Sequence, residues 1–347
     1  MTRSQPRSDA KMSLRTVRGD IGEAGHIQPH EHVLSHIGGT NRRQGTALLS
    51  GEPIDLENYY EVRRHHSAFD MRVDDIEDAV WELERYRTAG GSVIVDATSI
   101  GLGRNPLGLV EVSERTGVHI IMGSGWYHRD YHPDELGTRS RADLAGQIIR
   151  EVTVGAEETE IRAGLIGEIG LNWPVDPVED TVLRAAVDAH LDTGAALMIH
   201  PGRDTRAPAD AMARVRQETT STRIVMSHID RTLFTVDDML ALADTGCYLE
   251  FDLFGQESSY YPYADIDMPN DATRLGHIRA LCERGYRDQI LLSQDICFRS
   301  HLQRYGGEGY AHLLRNVVPM MLRRGFDKDD VAALTVDNPR TMLEIAP

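Results

Sequence analysis

Short apolar runs recur along this chain, each closing on a polar or charged residue, with longer stretches of helical period between them. The runs GSVIVDAT (91–98), VHIIMGSG (118–125), AGLIGEIG, ALMIH, TRIVMSH, CYLEFDLFG and QILLSQD have the length and branched side chains of strands buried on both faces. Helical stretches separate them: IEDAVWELERYRTAG with a glycine cap, a helix over roughly 141–160, TVLRAAVDAHLDTG (181–194), one starting near Pro208, TVDDMLALADTG (235–246) and ATRLGHIRALCERGY (272–286). YAHLLRNVVPMMLRRG and DKDDVAALTVDNPRTMLEIA close the chain as helices. Such alternation implies parallel strands with right-handed crossovers. With GHIQPHEHV as the first, eight strands are predicted, enough to close a (β/α)8 TIM barrel, where a doubly wound sheet would more often have about five or six. LRTVRGDIGEAGHIQPHEHVL reads as an N-terminal hairpin, turning near Gly19–Asp20, that leads into strand one. Residues 37–75 read as an insertion after that strand, over the barrel mouth. Residues 1–11 form a loose polar tail ahead of a single domain spanning 12–347.

The strand ends carry the chemistry. His30, His32, Glu168, His200, His228 and Asp295 each stand at or near the C-terminal end of a predicted strand, the rim on which such barrels assemble their sites. Period-two geometry turns His30 and His32 to one face and Glu31 to the other, so Glu31 is read as structural and outward-facing. Alone, each histidine reads equally well as a core residue, and Asp295 as a helix cap. Together they read as ligands, with Asp295 also a general base. Glu168, in an apolar glycine-rich run, is costly to bury unpaired; an arginine partner or a pair of bridged cations removes that cost. Four imidazoles and two carboxylates exceed the protein ligands of one catalytic zinc. They suit two divalent ions ~3.5–4 Å apart, zinc first, with manganese, cobalt or iron as alternatives. His30, His32 and Asp295 are assigned to the more buried ion, His200 and His228 to the more exposed one, and Glu168 to the bridge.

Composition narrows the partners. A formal charge of −17 argues against nucleic acid or an anionic membrane as the main partner, and leaves a small-molecule substrate, with a homodimer compatible. Cys247, Cys282 and Cys297 form no paired motif, and the N-terminus shows no apolar leader, which fits a reducing cytoplasm.

On these residues the chain resembles the phosphotriesterase-related branch of the amidohydrolase superfamily over nearly its whole length. The strand-one H-x-H, the histidines ending strands five and six and the aspartate ending strand eight match His30, His32, His200, His228 and Asp295. Phosphotriesterases themselves bridge their metals with a carboxylated lysine on strand four. This chain's only lysines are Lys11 and Lys328. Its IGEIG segment instead is similar to the resiniferatoxin-binding type, in which glutamate bridges. Two departures concern the reaction. Lactonase members carry Asp-Arg-Tyr-Gly after strand seven, where Asp252, Leu253, Phe254 and Gly255 stand here. Phosphotriesterases carry two aspartates after the strand-six histidine, here Asp230 and Arg231.

The expected reaction is hydrolysis by a hydroxide bridging the ions, on a carboxylic ester, lactone or amide, with Asp295 taking the proton. The resemblance implies that Tyr127 orients the carbonyl or developing oxyanion; a core-edge tyrosine is the alternative. Trp126, Trp173, Arg203, Phe254 and Arg299 are expected on the upper rim. Arg203 and Arg299 hold an anionic tail, as of an N-acyl amino acid, or pair with acidic loop residues. Organophosphate triester hydrolysis and a non-catalytic small-molecule-binding protein are the competing functions. GLGRNPLG reads as a mouth loop with no helix directly after it, and His128 and His132 as solvated surface residues. His65, His66, His277 and His312 are given no role. The absence of a G-x-S-x-G elbow removes the serine-hydrolase option.

Overall fold

The computed structural model describes residues 12–38, 51–259 and 261–345. The predicted tail at 1–11 and part of the insertion, 39–50, lie outside the described residues. Eight parallel strands form one sheet: β1 His26–Glu31, β2 Gly91–Asp96, β3 His119–Ser124, β4 Leu165–Gly170, β5 Leu197–His200, β6 Ile224–Met226, β7 Tyr248–Phe251 and β8 Ile290–Leu292. Their spatial order is their chain order. Helices between the strands complete a TIM barrel. β1 and β8 close it through the segment after β8: Asp295 N donates to His30 O (3.2 Å) and His32 N to Ile296 O (3.1 Å).

Period two sorts the core into two shells. Val93, Val95, Ile121, Leu165, Met198, Val225 and Leu291 fill the barrel with Leu14, Met342 and Leu343. Ile94, Ile120, Met122, Ile166, Ile199, Met226, Leu249 and Leu292 face the helices. Continuing that alternation upward aims the site: Met198 leads to His200, Tyr248 to Glu250 and Asp252, and Leu291 to Ser293 and Asp295. β1 and β4 carry irregularities, between Gln28 and Glu31 and between Ile166 and Ile169. These shift His30, His32 and Glu168 relative to the residues below them.

The hairpin forms from Leu14–Thr16 and Gly19–Ile21, with Thr16 opposite Gly19. The described part of the insertion holds a helix, Tyr59–His65, and a two-stranded pair, Ser35–His36 with Arg72–Val73. One reading is corrected. GLGRNPLG runs straight into a helix, Pro106–Thr116, which begins within it, with Asn105 accepting from Gly108 N and Gly117 left-handed at the end. Proline suits a first helical turn because its missing N–H has no intrahelical partner there. The helix expected over 141–160 stops earlier, at Thr153. No helix among the described residues is long and apolar enough to cross a membrane.

Candidate metal centre

The six sequence-predicted ligands converge at the upper end of the barrel. Glu168 lies at the middle and divides its two oxygens. Oε1 lies 3.6 Å from His32 Nε2, while Oε2 lies 2.9 Å from His200 Nδ1 and 3.4 Å from His228 Nε2. Asp295 Oδ1 lies 3.3 Å from His32 Nε2 and 3.8 Å from His30 Nε2. Ligand atoms of His30, His32 and Asp295 form one group able to hold an ion, and those of His30, Glu168 and His228 another. His228 and Asp295 both adopt positive φ, 56° and 48°, a conformation non-glycine residues hold at a cost of order 1–3 kcal/mol.

Fixed partners set the ligand nitrogens. His30 Nδ1 is 2.9 Å from Glu250 and 3.2 Å from Asp252, so Nε2 faces the cavity. His228 Nδ1 meets Asp252 at 2.9 Å and His32 Nδ1 meets Thr98 Oγ1 at 2.9 Å. Carboxylate-to-imidazole contacts of this kind fix tautomer and ring orientation in metal sites. Glu250 and Asp252 are missing from the sequence reading as site residues, although YLEFD offers them two apart on an apolar strand, as His30 and His32 are.

The charge balance tests whether divalent cations fit. Glu168, Glu250 and Asp252 are buried, and Asp295 nearly so. Burial opposes charge on Glu168, but the facing histidines, His200 first, hold its carboxyl well below the usual range. Burial likewise opposes charge on His30, but Glu250 and Asp252 raise it well above the ordinary value. Burial, then His228, lowers His200. His30 Nε2 has no hydrogen-bond partner among the described residues, though fully buried. A buried imidazole nitrogen aimed into a cluster of carboxylates suits a cation, and the donor set of imidazole nitrogen and carboxylate oxygen suits zinc or a similar metal.

Tyr127, Arg203, His200, His228 and Asp295 line the cavity above the ligands. Tyr127 Oη is 3.2 Å from His200 Nε2. Trp126 is packed in the core instead. Phe254 is buried under the Arg274 guanidinium, on the wall of a neighbouring cavity. Arg299 does not line the metal cavity. The turn Arg299–His301 carries it to the insertion, where it faces Asp74 at 3.5 Å and covers the Phe69 ring. Trp173 lies under Arg206.

Two expectations are corrected here. His128 is 2% exposed and lines the cavity; burial, reinforced by Arg203, lowers it to about 3, so its ring is neutral. His132 is also buried, with Nε2 donating to Tyr127 O at 2.6 Å. Their loop folds inward onto the rim, and it thereby props the tyrosine. Glu31 does leave the cavity, but it does not reach solvent. Fully buried, it accepts from Ser293 Oγ (2.7 Å), Gln294 N (2.8 Å) and Ile296 N (2.8 Å), clasping the segment that carries Asp295.

Strand ends that present this donor set on one barrel suit divalent metal ions. The family model described as "Phosphotriesterase family" matches residues 12–343, and the chain belongs to that family. It is 39% identical over 331 residues to a phosphotriesterase-related protein of Nematostella vectensis (92% of this chain, 94% of that one). It is 36% identical over 350 residues to the N-acetyltaurine hydrolase of Danio rerio (97% and 99%). The crystal structure of a resiniferatoxin-binding protein from Rhodobacter sphaeroides superposes with a TM-score of 0.88 at 32% identity, covering 95% of this chain and 94% of that one. This chain is a hydrolase of the same family.

Proposed function

We propose that this hydrolase is binuclear and cleaves the amide of a small anionic N-acyl conjugate, with N-acetyltaurine as the model substrate. The observation that supports the metal count is Glu168, whose Oε1 faces His32 while its Oε2 faces His200, His228 and His30. His30, His32 and Asp295 would hold one ion, His200 and His228 the other. Divalent metal chemistry supplies an activated water and Lewis-acid polarisation of the scissile carbonyl. Asp295 accepts the water's proton and returns it to the leaving amine. Tyr127, half-buried beside His200, keeps its hydroxyl proton because burial and then Glu168 raise its pKa, so it remains a hydrogen-bond donor to the acyl oxygen. The substrate class rests on the N-acetyltaurine hydrolases among the relatives and on the cavity's size. Its interior measures about 70 Å³, room for roughly five waters, which suits a short acyl group.

Metal analysis with product assay tests this. About two metal equivalents per chain and release of taurine from N-acetyltaurine are expected. Less than one equivalent after zinc or cobalt supplementation would sink the binuclear site. Turnover of lactones or phosphotriesters without any acyl amide would move the substrate class.

A further inference from the structure

Buried arginines in this protein come with carboxylates. Arg104 meets Glu151 at 2.7 Å, Arg274 meets Asp230 at 2.7 Å and Asp271 at 2.9 Å, and Arg299 and Arg15 each face an aspartate at 3.5 Å. Arg231 is the exception: it is 2% exposed, and no carboxylate among the described residues lies within 4.0 Å of it. Arg203, on the same cavity, has none either. A cation left unpaired in a desolvated place is expensive, so buried Arg231, with half-buried Arg203 beside it on one small cavity, points to an anion that arrives with the substrate.

We propose that Arg203 and Arg231 are the specificity-determining arm of the active site and select a tetrahedral, three-oxygen anion of the sulfonate class over a planar carboxylate. This rests on the amide-hydrolase reading above.

The directions of the donors carry the selectivity. Arg203 spends Nε on Tyr261 Oη at 3.1 Å, and its plane lies 5.0 Å from the Tyr263 ring. Its two terminal nitrogens have no protein partner among the described residues. Arg231 gives Nη1 to Thr232 Oγ1 at 3.2 Å, while Nη2 reaches Pro201 O at 3.3 Å and faces His200 Nε2 at 3.1 Å. His200 turns Nδ1 to Glu168 and His228. With Nη2 engaged by Pro201 and His200, one Nη1 hydrogen of Arg231 is left without a partner among the described residues. Beside it stand the two terminal nitrogens of Arg203, so donors from two separate guanidinium groups meet on one cavity and match oxygens spread over a tetrahedral centre. A carboxylate is served best by the fork of a single guanidinium. The ligand nitrogen of His200 and the Arg231 guanidinium are separated by one imidazole ring and a 3.1 Å contact, so acyl carbon and anion are joined by a spacer only a few bonds long. Burial pushes the Tyr261 phenol up, but Arg203 and then Arg231 outweigh it and leave it below its ordinary value, a further sign that both guanidinium charges converge here.

Calorimetric titration of the metal-loaded protein with ethanesulfonate, propionate and the neutral ethyl methyl sulfone tests the assignment without turnover. Ethanesulfonate should bind several-fold more tightly than propionate and roughly tenfold more tightly than the sulfone. Arg203→Met and Arg231→Met should each weaken ethanesulfonate by roughly tenfold and leave the sulfone unchanged, with the lysine variants recovering part of the loss. Where a methionine variant does not fold, its lysine variant and the wild-type ranking decide. Equal or tighter propionate binding, or unchanged sulfonate affinity in the folded variants of both arginines, would overturn the proposal. A protein that holds two metals yet cleaves no acyl amide would instead remove the proposed function, and the ranking would still report on the arginines.

Discussion

Two clusters of buried charge sit side by side on the upper rim, and they are finished differently. Outside the barrel, Arg274 joins Asp230 and Asp271, and Asp271 accepts from His312 at 2.7 Å, with Glu308 at 3.2 Å from the same ring. That cluster pairs each charge with an opposite one from within, and Asp230 Oδ1 is its one oxygen without a hydrogen-bond partner among the described residues. Inside the barrel, Glu168, Glu250, Asp252 and Asp295 face histidines, with gaps of 3.3–3.8 Å around Asp295 and the H-x-H pair and an unpartnered His30 Nε2. Protein groups alone leave it incomplete. A buried network that satisfies itself is a structural element, and one that leaves spaced ligand atoms around an acidic centre is a site.

The contrast can be broken most severely at the bridge. Glu168→Gln should lower metal content and reduce hydrolysis by about 10³-fold or more, since the charge stabilisation at stake is several kcal/mol; retained stoichiometry would remove the bridging role. Asp295→Asn should slow turnover by roughly 10²–10⁴-fold, the range for a general base, with the folded-state circular dichroism unchanged. In the closed cluster the effect should fall on stability instead. Arg274→Met leaves Asp230 and Asp271 buried without their cation, and about 3–5 kcal/mol of unfolding free energy should be lost. Metal stoichiometry of the folded fraction should hold at its wild-type value.

The smallest test uses pH. Burial works against charge on His312, but Asp271 and Glu308 outweigh it and raise its pKa to about 9. A histidine raised on folding contributes fully below its unfolded value near 6.5 and loses that contribution as pH climbs through 9. Wild-type stability should therefore decline between about pH 6.5 and 9 by on the order of 2 kcal/mol more than that of His312→Gln. Parallel profiles for the two proteins would remove the assignment.

The barrel and the convergence of six residues at its upper end were legible because both follow from periodicity: eight apolar runs each delivered a candidate ligand or a wall, and H-x-H needs only period two. Glu250 on β7 and Asp252 just past its end obey the same rule, but a carboxylate in an apolar run draws no notice until its neighbours are known. The Pro106 helix was hidden by its own start signal, since Asn-Pro after glycines also reads as a turn. The arginines were least legible. Distance from a strand end says nothing about direction, and the turn at Arg299–His301 leads away from the cavity while Ile229–Thr232, starting from left-handed His228, brings Arg231 into it.

Anomalous diffraction from crystals grown with zinc tests the central claim most directly. Two peaks are predicted on opposite sides of the Glu168 carboxylate, one within ligand distance of His30, His32 and Asp295, the other of His200 and His228. A single peak, or two that leave Glu168 unbound, would contradict it.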